Sequence, residues 1–466
     1  MTAHRRRKNN RQSLLSLITV LSLVLVVLLV IAATLPENFS SNAGVTDPTI
    51  SLGTEATQPS VPPDTAPPHS PIVIESTATL AATGDILMHG PVIKSGLESS
   101  GEYDFSSIFT YFADYVSSVD YAVTNLETTL AGADFLHNNG NVGYSGYPQF
   151  NCPDSIVSGL KNAGFDMLLT ANNHSYDTRT LGLDRTQQVI SDMGLSHLGT
   201  KPTADSPNYF IADINGIRIG MLCYTYEDDN TATGKAPNSH KMTAEDAALI
   251  NSFDYSNLPL FYEEMARNMA DMTAAEVDAV VMFIHWGDEY ALQKNDNQTA
   301  IAQKLCDLGV DVIIGSHPHV VQPVEILTSN SGDHSTLCLY SMGNAVSNQN
   351  RVESGIPESG HTEDGVLFSV TFTKYSDGTV ILSETDLLPL WVNRHYNDQG
   401  KRVYPILPLD KQIEDWKTQF SLTDAQLKNA LESYDRTMAI VGSGMTSAKE
   451  YLAQQKAETE RALGVK

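Results

Sequence analysis

AVVMFIHWGDEY, residues 279–290, opens on six apolar residues and then turns abruptly to His285, Asp288 and Glu289. VIIGSHPHV, residues 312–320, repeats the form: an apolar run, a glycine, then His317 and His319. Unbroken apolar runs this short suit central strands covered on both faces. Chemistry placed directly after them suits an α/β sheet, which binds ligands outside the carboxyl ends of its strands. Similar runs predict further strands over 79–83, 121–125, 167–170, 217–224, 336–340 and 366–373. The stretches between predict helices over 154–163, 181–192, 258–273 and 298–308; the first opens after Pro153 and stops at Gly164. Alternation on this scale implies an α/β domain, a layered β-sheet core flanked by helices.

Other strand ends carry the same residue types. ATGD ends at Asp85, with His89 close behind; AVTNLE delivers Asn125 and Glu127; LLTANNH delivers Asn172, Asn173 and His174, with Asp177 beyond; YSMGN delivers Asn344. Each has an ordinary explanation when taken alone. A histidine after a strand is most often a hydrogen-bonded structural residue, and asparagine there is turn chemistry. Together they are harder to dismiss, because five of the 13 histidines (His89, His174, His285, His317, His319) fall at or near strand ends. Imidazole, carboxylate and amide donors suit borderline divalent cations such as Mn²⁺, Zn²⁺ or Fe²⁺. Two such ions about 3.5–4 Å apart can clamp a phosphoryl group for in-line displacement. Alternate residues of an extended segment point the same way, so His317 and His319 are expected to face one site.

Charge narrows the partners. Five bases (Arg5, Arg6, Arg7, Lys8, Arg11) stand in the first twelve residues without an acid; over the rest, 24 Lys and Arg face 55 Asp and Glu, a formal −31. Nucleic acid is excluded as a partner, since phosphate binding needs a basic footprint. Residues 14–33 (LLSLITVLSLVLVVLLVIAA) are uncharged and long enough, at about 1.5 Å per residue, to span a bilayer. With the basic cluster held inside, the chain beyond is expected outside the cell. A cleaved signal peptide competes, but its apolar region usually runs about 7–15 residues. The expected organisation is a cytoplasmic N-terminus (1–12), an anchor (13–35), a Pro/Ser/Thr-rich linker (36–71), the α/β domain (72–407) and a polar helical extension (408–466), in which Ser421 and Asp424 are spaced as a helix cap. Cys152, Cys223, Cys306 and Cys338 show no metal-type pairing and are expected as buried free thiols.

The ordered set Gly84-Asp85, Asn125-Leu126-Glu127, Ala171–His174, His285-Trp286-Gly287 with Glu289, Gly315–Val320 and Gly343-Asn344 resembles the bacterial capsule synthesis protein CapA/PgsA family. The resemblance implies a calcineurin-like metallophosphoesterase fold and a role in making or exporting poly-γ-glutamate capsule from the membrane. By position it implies Asp85, Glu127, Asn173, His285, His317 and His319 as ligands for one or two divalent ions. His174 would be the catalytic acid or electrostatic stabiliser, and Asn125, His89, Glu289 and Asn344 would contact substrate. Two departures stand out: the first strand lacks the usual Asp-x-His, having Asp85-Ile86-Leu87, and the second motif carries Glu127 in place of Asp. The readings that follow are a metal-dependent hydrolase of a phosphate ester or amide, and a non-catalytic assembly subunit working with capsule-synthesis membrane proteins. A plain adhesion domain leaves the histidines unexplained. In either of the first two, an anionic polymer would need bound cations or a local basic patch to be held by a surface this acidic.

Overall fold

The computed structural model describes residues 71–465, apart from 138, 229–236, 353–354 and 411. The apolar span 14–33 and all but the last residue of the linker lie outside the described residues; within them, no helix is long and apolar enough to cross a membrane.

One sheet holds β1 (Ile74–Ile86), β2 (Tyr121–Leu126), β3 (Met167–Leu169) and β4 (Ser196–Leu198). The second holds β5 (Tyr209–Ile214), β6 (Ile217–Tyr226), β7 (Ser252–Phe253), β8 (Ala279–His285), β9 (Val312–Ser316), β10 (Val324–Thr328) and β11 (Ser335–Leu339). The chain then returns to the first sheet with β12 (Asn344–Val346), β13 (Asp364–Tyr375) and β14 (Val380–Val392). A small separate ribbon follows, β15 (His395–Tyr396) with β16 (Arg402–Val403), before β17 (Ile406–Pro408) closes the first sheet. The first sheet runs β17-β14-β13-β1-β2-β3-β4, with β12 also on β1; the second runs β10-β11-β9-β8-β6-β5. In each, a parallel block (β1-β2-β3-β4; β6-β8-β9-β11) is bordered by antiparallel strands.

Side-chain alternation decides the layering. Val281 and Phe283 of β8 enter a core shared with Leu80 and Ala82 of β1, so the two sheets pack face to face. Val280, Met282 and Ile284 point the other way, beneath the helices Leu258–Ala274 and Asp296–Asp307. On the far side, Ala81, Ala122 and Leu168 lie under the helices Ser155–Asn162 and Arg179–Asp192. The result is four layers, helix–sheet–sheet–helix, in which both faces of the central strands are buried as their composition requires. All four cysteines are buried and free.

The eight predicted strands and four predicted helices are present, with ends moved by up to five residues. β14 escapes the apolar reading because buried positions along it are polar: Ser383 and Thr385 face inward and hydrogen-bond within the β13–β14 hairpin. The C-terminal extension is largely one helix, Asp424–Leu463, and its cap is not at Ser421. Ser421 has φ +52°, whereas a capping residue needs extended backbone; Thr423 and Gln426 instead form the reciprocal capping box.

Val441, Met445, Ala448 and Leu452 of that helix join the inter-sheet core. Gly444 is what permits the approach, since a Cβ there would lie 2.1 Å from the Val324 carbonyl oxygen of β10; at Gly442 the only neighbour within 4 Å is the Met438 methyl, at 3.6 Å. Gly444→Ala should therefore lower unfolding free energy by about 2 kcal/mol or more through forced displacement of helix from sheet. Gly442→Ala should raise it by about 0.5–1 kcal/mol through helix propensity alone. Denaturant unfolding of the two variants checks this, and equal effects would contradict the packing.

Candidate metal centre

The parallel strands of both sheets end at one edge, and the functional side chains meet there. β1 and β2 slip register at Gly84, so Thr83 pairs with Thr124 but Asp85 with Asn125. A Cβ on Gly84 would stand 1.9 Å from the Gly343 carbonyl oxygen; a bare glycine is what lets β12 lie against β1 and bring Asn344 beside Asp85. Asp85 Oδ1 accepts from Asn125 Nδ2 at 2.7 Å, and its Oδ2 lies 3.2 Å from His319 Nδ1.

Glu127 follows β2 and is wholly buried, yet neither carboxylate oxygen has a hydrogen-bond partner. Its Oε1 stands 3.7 Å from His285 Nε2 and 3.9 Å from His319 Nε2. Asp85, Glu127 and His319 each offer a ligand atom within 4.8 Å of the others. His285 Nε2 is also 3.1 Å from Asn173 Oδ1, with Nδ1 on the Ser316 hydroxyl at 2.9 Å. The His317 ring lies 4.8 Å from that of His285, and its buried Nδ1 has no partner.

Electrostatics argue for a cation. Burial, then Asp85, push the Glu127 carboxyl well above its ordinary range. Burial and the neighbouring imidazoles push His285 and His317 well below theirs, toward the neutral form, and His317 keeps its Nδ1 without a partner. At His319 burial acts downward too, but Asp85 outweighs it and holds the ring above its usual value. A buried carboxylate without a donor beside neutral imidazoles is a ligand set, and a divalent ion reverses the penalty on Glu127. The buried Asp85, Glu127 and His319 could hold a metal ion.

His317 and His319 reach the cluster by a different path from the one expected. The segment is not extended: φ is +98° at His317 and +56° at His319, so the chain turns sharply once β9 ends at Ser316. Both rings still converge, 6.0 Å apart, because the backbone rather than the pleat aims them. Left-handed backbone at two non-glycine residues is strain of the kind that collects at functional sites.

His174 stands beside the ligand set. Its Nδ1 meets Asp177 Oδ2 at 2.8 Å, and Phe150 packs edge-on at 4.5 Å. Its ring lines a cavity of about 650 Å³ together with His89, Glu289, Tyr290 and His319. Asp177 also accepts from the Phe150 amide and from Asn238, and His240 lies 3.4 Å away. Burial would raise the Asp177 carboxyl, but His174, His240 and the amide together hold it at about 2. Asn238 and His240 were not legible as partners, being more than 60 residues from Asp177 along the chain.

Of the four residues implied for substrate contact, His89 and Glu289 line the cavity; burial and His319 lower His89 to about 4. Asn125 and Asn344 are turned inward. Asn125 spans Asp85 and Asn172, and Asn344 spends its amide on Thr362 and Gln349 and its oxygen on His319. Leu87 lines the cavity where a metallophosphoesterase pattern would place a further imidazole.

Layered sheets ending in a His/Asp/Glu cluster define an α/β protein with a candidate metal site at its strand ends. Residues 79–349 match the model of the family described as bacterial capsule synthesis protein PGA_cap, and the chain belongs to that family. It is 27% identical over 318 residues to the capsule biosynthesis protein CapA of Bacillus anthracis, covering 67% of each chain. To the PGA biosynthesis protein CapA of Bacillus subtilis it is 28% identical over 268 residues, 57% of this chain and 62% of the relative, less than two thirds of that protein's length. A probable polyglutamine synthesis accessory protein of Mycobacterium tuberculosis is 25% identical over 289 residues, 60% of this chain and 67% of the relative.

Two outcomes test the site. Glu127→Gln removes a buried charge, so in chelator the variant should melt higher than the parent, and added Mn²⁺ or Zn²⁺ should raise the parent far more than the variant. Equal metal-dependent shifts would mean that Glu127 is not a ligand. Asp177, depressed from 3.8 to about 2, contributes about 2–3 kcal/mol above pH 4 and loses it as pH falls through about 2. Asp177→Asn should be destabilised by roughly that much at pH 6, with the gap closing between pH 4 and 2 in denaturant titrations.

Proposed function

We propose that this chain is a membrane-anchored, extracellular accessory protein of capsule synthesis whose strand-end site carries out metal-dependent hydrolysis on the capsule polymer or its attachment. The observation that carries the reading is the buried Glu127 carboxylate, without a donor, among Asp85, His285, His317 and His319 and next to an Asp177-oriented His174. Asp85, Glu127 and His319 would hold a divalent ion, with Asn173, His285 and His317 completing the set. The ion, when bound, supplies Lewis acidity for an ester or amide bond and acidifies water.

The protein's own residues do the rest. Asp177 accepts a hydrogen bond from His174 Nδ1 and so orients the ring, which leaves Nε2 to work in the cavity. In hydrolysis one water is consumed: its oxygen bonds to the phosphorus or carbonyl carbon as the scissile bond breaks, the departing oxygen or nitrogen takes a proton from His174 Nε2, and the proton shed by the water restores His174 through solvent. Phe150 against the imidazole limits its rotation. The anchor is supported by the charge asymmetry around residues 14–33, and outward placement by the same asymmetry.

A second reading, a polymer-holding assembly subunit without turnover, is favoured by Leu87, whose apolar side chain stands where another ligand would serve a second ion. The two separate experimentally. His174→Ala should retain metal but lose about 10²–10⁴-fold in turnover on phosphate esters or γ-glutamyl amides, while Asn173→Ala should lose metal and turnover together. Normal turnover in His174→Ala would overturn its role. Capsule lost from cells with no hydrolysis detected in the parent would establish the assembly subunit.

A further inference from the structure

Cations are scarce on this protein, yet one cavity departs from the balance. About 570 Å³ in volume, it is lined by Lys94, Lys401 and Arg402 with Ser95 and Tyr396, and no carboxylate is among its described lining residues. It adjoins the metal-site cavity at Gly90 and Pro91, which line both. The metal-site cavity itself has no Lys or Arg among its described lining residues.

Each cation is available. Lys94 closes the helix Gly90–Gly96 and is exposed. Lys401 meets Glu98 at 2.7 Å, a solvent-exposed pair of the kind that contributes little and exchanges readily. Arg402 donates to the Tyr396 hydroxyl at 2.7 Å and lies 5.0 Å from that ring's centre, so its planar fork is held in place before any anion arrives. Lys401 and Arg402 come from the β15–β16 ribbon, which joins neither sheet and lies outside the stretch matching the family model. The flanks of the ribbon are tied to the site: the Tyr404 hydroxyl and Arg394 donate to Asn348 Oδ1 at 2.7 and 3.4 Å, and the Asn348 amide donates to His89 Nδ1 at 3.4 Å.

We infer that this groove is a binding track for an anionic polymer of repeated carboxylates, seating the chain beside the metal site; the inference rests on the polymer-directed reading above. The body of the protein repels a polyanion, and within a screening length of about 8 Å only a local cluster can reverse that. Three cations along one groove that opens into the site supply the reversal where a polymer must lie to present a bond there. Carboxylate is assigned through the capsule-polymer reading above and through Arg402, whose planar fork, fixed by Tyr396, matches a carboxylate in two-pronged contact.

The test uses the full chain in detergent with Mn²⁺, and fluorescence anisotropy of a labelled γ-linked glutamate oligomer. Lys94→Gln/Lys401→Gln/Arg402→Gln should bind about tenfold more weakly at low salt, with a shallower salt dependence, while metal content and melting temperature stay at the parent's values. Lys94→Arg, which keeps the charge, should bind as the parent does. Equal affinity of the triple variant would overturn the track and leave the metal-site reading standing. No binding by the parent would overturn both the track and the polymer reading. A larger loss for polyphosphate than for the glutamate oligomer would overturn the assignment to carboxylate.

Discussion

The site exists because two sheets pack face to face with their parallel strands ending at one edge. Val281 and Phe283 of one sheet and Leu80 and Ala82 of the other share a single apolar core. Burial of that core, at about 25 cal/mol per Å² of apolar surface, locks the sheets in register against each other. His285 is thereby held 3.7 Å from Glu127, although the two lie 158 positions apart in the chain. Asp85, Asn125 and Glu127 come from one sheet and its strand ends; His285, Ser316, His317 and His319 come from the other. Neither sheet alone carries a site.

That convergence is electrostatically unfavourable without a cation. Glu127 is pressed toward its neutral form by burial and by Asp85, and the imidazoles of His285 and His317 are pressed toward theirs. A folded protein holds such a cluster against its interest only when something compensates, and a positively charged ion of modest radius compensates every member at once. The glycines that frame the motifs serve the same end by letting backbones cross: Gly84 against Gly343, and Gly315 against the Tyr340 carbonyl oxygen at 1.9 Å from its would-be Cβ. The motif residues are thus of two kinds, those that bring the strands close and those that use the proximity.

Beside the site, hydrogen bonds extend its influence outward. The Asp177 carboxylate gathers His174, His240, Asn238 and the Phe150 amide, so a loop from the second half of the domain is tied to the imidazole that faces the cavity. The ribbon after β14 is tied in through Asn348 and His89. These connections set the shape and charge of the cavity mouth.

Much of this was legible along the chain. Short apolar runs ending in Asp, Glu, Asn or His marked the central strands and the polar cluster at their ends, because a strand buried on both faces can carry polar chemistry only where it emerges. β14 was not legible as one strand, since its inward Ser383 and Thr385 satisfy themselves within the hairpin and, with Pro389, break its apolar positions into short pieces. The helix cap was misplaced by two residues, because Ser421 and Thr423 both have capping side chains and only backbone conformation distinguishes them. What the sequence determined by itself is therefore the strand order of the chemistry and the family, which depend on local composition and motif. Tertiary structure alone decided that His317 and His319 meet through left-handed backbone, that Asn125 and Asn344 turn inward, that Asp177 orients His174, and that Lys94, Lys401 and Arg402 share one groove. Some of these join residues far apart in the chain, such as Lys94 and Lys401, and others fix the local backbone of near neighbours; all are settled by how sheets and loops pack, which no local pattern encodes.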